Sequence, residues 1–63
     1  MKLEVGKFYK IVIDVNGRVL TFSGEILSND NVFVSFKDKY NKILNYNLRT
    51  IISFEEIDGG FDG

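Results

Sequence analysis

Phe8-Tyr9-Lys10-Ile11-Val12-Ile13-Asp14-Val15-Asn16-Gly17-Arg18-Val19-Leu20-Thr21-Phe22-Ser23-Gly24-Glu25-Ile26 is the stretch that decides the fold. Tyr9, Ile11, Ile13 and Val15 alternate with Phe8, Lys10, Val12 and Asp14, the period-two pattern of a half-buried strand. Asn16-Gly17 then sits between two apolar runs, where both residues tolerate the positive φ of a type I′ hairpin turn. A second strand is expected from Arg18 to about Leu27, with Leu20, Phe22, Gly24 and Ile26 on one face. Gly24 lies inside that strand. Glycine there costs stability and marks a bend, a bulge or a close backbone approach, and a long strand that serves both sides of a small closed sheet needs such a point.

The rest of the chain extends the pattern. Met1 to Lys7 reads as a short lead-in, and Ser28-Asn29-Asp30-Asn31 as a polar turn whose side chains bond their own backbone. A third strand is expected over Val32 to Lys37, a turn at Asp38-Lys39-Tyr40-Asn41, and a fourth strand over Lys42 to Tyr46. Asn47-Leu48-Arg49-Thr50 is a tight connection of about one 3₁₀ turn, and Ile51 to Ile57 is the fifth strand. Short strands at regular spacing with turns between them predict a small all-β domain, a strongly bent five-stranded SH3-like barrel. The domain is expected to occupy residues 1–58, with 59–63 as a flexible glycine-rich tail.

Composition agrees. Alanine, the best helix former, is absent, and Ile, Val, Phe and Tyr dominate a hydrophobic fraction of 44%. With 63 residues the core is thin, since a chain of this size buries only about 60% of its unfolded surface. There is no cysteine and no histidine, so disulfides and the usual zinc sites are excluded and no cofactor is expected. The commonest general base and the best nucleophile are missing too. Glu55-Glu56 is the adjacent acidic pair, and strand neighbours point to opposite faces, so an enzyme is not expected. No apolar run reaches the ~18 residues of a membrane span, and the N-terminus has no apolar signal segment; a cytoplasmic protein is expected. The composition fits an AT-rich genome such as that of an archaeon or its virus.

A net charge of -1 argues against non-specific DNA binding, because phosphate neutralisation supplies much of that affinity. It leaves room for binding bases by stacking and polar groups. Asn45-Tyr46-Asn47 with Arg49 offers an aromatic ring, two amides and a guanidinium, a set able to stack on a base of single-stranded RNA and bond its edges. The plainer alternative makes Tyr46 a core-edge tyrosine and the asparagines turn-formers. Lys37, Lys39 and Lys42 with Tyr40 form a basic hairpin tip able to touch phosphates, or else a solvated turn. Val12, Phe33 and Ile43 sit opposite the main apolar alternation, which suggests cover on both faces, as at a subunit contact. Unpaired edges of a small barrel are commonly covered by another copy, and a head-to-tail contact gives a closed ring.

The order of signals from Tyr9 to Ile57 resembles the Sm-like superfamily, which includes archaeal and eukaryotic Sm-like proteins and bacterial Hfq. The resemblance rests on Tyr9 to Arg18 with its Asn-Gly turn, on Gly24-Glu25-Ile26, on Asp30 before the third strand, and on Leu48-Arg49-Thr50-Ile51-Ile52. Asn45-Tyr46-Asn47 stands where the family places a glycine or a Lys-His pair. The resemblance implies a bent five-stranded SH3-like barrel, a homo-oligomeric ring built through the fourth and fifth strands, and binding of single-stranded RNA. By position it places Tyr46, Asn47 and Arg49 near a nucleotide, with Asp30 and Asn31 in the other binding loop. The alternatives are a protein-interaction module that docks a strand or peptide on an exposed edge, and a DNA-binding barrel of the chromatin kind.

Overall fold

The computed structural model describes residues 2–57; Met1, the expected domain boundary at residue 58 and the expected tail 59–63 lie outside the described residues. The strands are β1 (Phe8–Val15), β2 (Arg18–Asn29), β3 (Phe33–Asp38), β4 (Ile43–Asn47) and β5 (Ile51–Glu56), with a 3₁₀ turn at Leu48–Thr50 between the last two. All pairings are antiparallel, and the five strands form one sheet in the order β4-β3-β2-β1-β5. The β1–β2 hairpin closes as the Asn-Gly pair requires, with φ of 53° at Asn16 and 82° at Gly17.

The alternating residues build the core. Tyr9, Ile11 and Ile13 of β1, Ile26 of β2, and Val34 and Phe36 of β3 are buried, and Phe22, Leu44, Tyr46, Ile51 and Phe54 pack against them. Each fully buried apolar side chain of this kind contributes about 1.5–3 kcal/mol. Edge strands of a flat five-stranded sheet would lie about 19 Å apart, at ~4.8 Å per strand. Here Tyr46 of β4 and Phe54 of β5 pack on the same cluster, so the sheet curls its apolar face around one core.

Two features differ from expectation. First, the sheet is not closed into a barrel: β4 and β5 remain its two edges. The 3₁₀ turn between them directs the Leu48 N–H to the Val32 carbonyl, at 2.8 Å, rather than continuing a ladder. Second, β2 runs on through Ser28 and Asn29 instead of ending at Leu27. The register shifts between Ile26 and Ser28, and the Asn29 amide is held by the Leu3 carbonyl at 2.9 Å, which keeps this polar residue in the strand. The lead-in packs against the sheet. Leu3 is buried, the Glu4 N–H donates to the Tyr9 hydroxyl at 3.0 Å, and Gly6 and Lys7 bond the backbone of Ile26.

Gly24 sits where β2 changes partner. Residues 18–25 of β2 pair with β1 and residues from Gly24 onward pair with β3, so the ladders overlap at Gly24 and Glu25 alone. The expected close approach is present: a Cβ on Gly24 would lie 2.7 Å from the Phe36 ring and 2.9 Å from the Lys37 carbonyl oxygen.

Candidate functional site

Two loops named from the sequence lie side by side. In the β2–β3 turn the Asp30 carboxylate accepts the N–H groups of Val32 and Phe33, at 2.9 and 2.7 Å, and these bonds hold its pKa below the ordinary value. Asn31 takes φ of 73° and donates its N–H to the Asn29 side chain. Between β4 and β5, the Asn47 side chain caps the 3₁₀ turn by accepting the Arg49 N–H at 2.8 Å, while its carbonyl accepts the Thr50 hydroxyl at 2.7 Å. The Leu48-to-Val32 hydrogen bond ties the two loops together.

Beside that tie is an open hollow of about 320 Å³. Leu48, Ile51 and Phe54 supply apolar wall, and Asn29, Asn31 and Lys2 supply polar groups. Asn31 was readable from the sequence. Lys2, Asn29, Leu48 and Ile51 were not singled out, because a lead-in lysine, a strand-end amide and two single apolar residues carry no local pattern.

The cluster Asn45, Tyr46, Asn47 and Arg49 does not share one face. Tyr46 points to the core, stacked on Phe36 with centroids 6.2 Å apart and planes at 21°, and 6.0 Å from the Phe22 ring. Asn45 alternates to the outer face, where its side-chain oxygen accepts the Ser35 hydroxyl, itself bonded by Ser28. Arg49 is exposed. Of the six residues named for RNA, Asp30, Asn31, Asn47 and Arg49 stand in the two tied loops; Tyr46 and Asn45 stand on opposite sides of β4.

The hairpin tip is ordered by Asp38, whose carboxylate accepts the N–H groups of Tyr40 and Lys42 at 2.9 Å each. Tyr40 is 76% exposed and carries the Lys39 ammonium 5.5 Å above its ring. Lys42 is exposed just before β4, whereas Lys37 lies within β3, opposite Glu25 and Ile43. A second hollow of about 310 Å³ opens between this tip and Thr21, Phe22 and Ser23 of β2.

Phe33 and Ile43 are exposed on the outer face, at 52% and 59%, next to the free edge β4. Among the described residues, no group of His, Cys, Asp or Glu could hold a metal ion, and no helix is long and apolar enough to cross a membrane. No protein-family model, no curated protein and no solved structure matches the chain.

Proposed function

We propose that this chain is a non-catalytic binding module, a small Sm-like barrel of the SH3-like kind, that works as a homo-oligomer and binds single-stranded RNA. The observation that carries the RNA reading is the tie between the Asp30–Asn31 loop and the Asn47–Arg49 turn. It sets both loops beside one open hollow, where Leu48, Ile51 and Phe54 give apolar wall and Asn31, Asn29 and Lys2 give polar groups. A nucleobase needs that combination, a flat apolar surface for its ring and amides for its edges. Arg49 supplies charge for the adjoining phosphate.

The homo-oligomer follows from the edges. Neither β4 nor β5 contains proline, and Ile43-Leu44-Asn45-Tyr46-Asn47 contains no charge, so β4 lacks the usual protection of a free edge. Antiparallel pairing of β4 with β5 of a second copy sets Lys42 against the end of that strand, where Glu55 and Glu56 lie. It also covers Ile43. The contact is head-to-tail, and a head-to-tail contact that closes is a ring. In this reading the seam between β4 and β5 is completed between copies.

The test is binding of fluorescent oligouridine to the intact chain. Asn31→Ala and Arg49→Ala are each expected to weaken binding by about tenfold, the size of one lost stacking or charge-assisted contact. Wild-type protein that ignores oligouridine at low salt ends the RNA reading.

A further inference from the structure

The part of β2 before Gly24 has a partner on one side only, and its free side can be identified residue by residue. Ile26 donates its N–H to the Lys7 carbonyl and accepts the Gly6 N–H, so both of its backbone groups point to the β1 side. The β1–β2 register is unbroken from Glu25 to Arg18. Backbone groups of alternate residues in a strand point to opposite sides, so Gly24, Phe22, Leu20 and Arg18 also face β1. Ser23, Thr21 and Val19 therefore direct their N–H and C=O groups away from it. The β2–β3 ladder begins only at Gly24, so no strand among the described residues meets those groups. Thr21 and Ser23 border the second hollow, which Asp38, Lys39 and Tyr40 line as well. Val19 and Thr21 are both exposed residues of types that favour strands.

We propose that this edge takes up an extended acidic peptide as an added strand, with Tyr40 packing against it. Alternating donors and acceptors match another peptide backbone; a sugar-phosphate backbone has no such alternation. Charge gives the sign of the partner. Arg18 stands at one end of the edge and Lys39 at the other. The ion pairs among the described residues use Lys7 alone of the cations, so these two have no carboxylate partner. The neighbouring acids are turned inward to their own turns: Asp14 accepts the Gly17 N–H and Asp38 accepts two N–H groups of the tip. A segment that alternates acidic and apolar side chains lays the apolar ones against Phe22 and the Tyr40 ring, with its acids in the field of Arg18 and Lys39 at the two ends. This hollow shares no lining residue with the one beside the 3₁₀ turn, so the proposal stands or falls apart from RNA binding.

The experiment uses the whole chain, ¹⁵N-labelled, and a capped hexapeptide alternating glutamate and isoleucine. The peptide is expected to slow amide exchange at Val19, Thr21 and Ser23. Lys39→Glu is expected to weaken binding by about tenfold through lost charge attraction and added repulsion. Thr21→Pro is expected to abolish binding, because it removes the central outward N–H; the β1–β2 ladder survives, since that N–H does not belong to it. Retained amide dispersion in both variants shows that the fold is intact. The proposal is overturned if the peptide protects amides of β4 or β5 instead, if a lysine–isoleucine hexapeptide binds as well, if oligouridine protects the same three amides, or if no amide responds.

Discussion

Gly24 lies directly over Phe36: across the β2–β3 ladder, a side-chain carbon on the glycine would come within 2.7 Å of the phenylalanine ring. The ring cannot move aside, because Phe36 is fully buried and packed on both Phe22 and Tyr46. On the other side the Lys37 carbonyl, at 2.9 Å, is backbone. Gly24→Ala therefore destabilises the domain by about 1–3 kcal/mol, the usual cost of overpacking. Urea titration followed by tyrosine fluorescence measures it; an unchanged midpoint refutes the close packing of β2 on β3.

Tyr46 faces Phe36 and Phe22, so its loss is first a loss of packing. Tyr46→Ala is expected to cost about 2–4 kcal/mol, towards the lower end for a half-buried ring. Tyr46→Phe keeps the ring and is expected to change stability by less than about 1 kcal/mol. Oligouridine affinity measured on folded Tyr46→Phe separates the roles: it stays at the wild-type level if the ring serves the core, and falls if the hydroxyl contacts RNA.

The strands were legible because their signal is local and repeated. Tyr9, Ile11, Ile13 and Val15 mark β1, and Asn16-Gly17 fixes the hairpin and with it the register of β2. What local pattern does not carry was missed. Leu3 is one apolar residue in a polar stretch, and its burial depends on β2 folding over it. Closure of the barrel was inferred from strand count, yet whether β4 meets β5 is decided by the 3₁₀ turn and by the Leu48-to-Val32 bond, a contact between distant loops. At the site, residue types pointed to the right loops, but alternation on β4 puts Asn45 and Tyr46 on opposite faces.

The lead-in is tied down by the Tyr9 hydroxyl, which accepts the Glu4 N–H at 3.0 Å. Tyr9→Phe leaves that donor without its partner and is expected to cost about 1 kcal/mol. Hydrogen exchange at Glu4 and Gly6 should rise selectively, with β3 and β4 unaffected. Equal loss of protection everywhere would mean that the lead-in and the sheet unfold as one unit.

Asp30 gives the domain an acid-sensitive turn. Its carboxylate is held below its ordinary value of 3.8 by the Phe33 and Val32 N–H groups. A group whose folded pKa is depressed contributes stability above its unfolded value and loses it as pH falls through the folded value. The stability gap between wild type and Asp30→Asn should therefore be present at neutral pH and shrink as pH drops below 3.8. Urea midpoints of the two proteins across that range check it; a gap that is constant with pH contradicts the assignment.

The central claim, an open sheet whose β4 and β5 edges are completed by other copies, is tested most directly by the mass of the nuclease-treated protein in solution. Sedimentation or light scattering should give one discrete species at a whole multiple of the 7.2 kDa chain. A species at the mass of a single chain, persisting at tens of micromolar, would show that the edges stay free and would contradict the account.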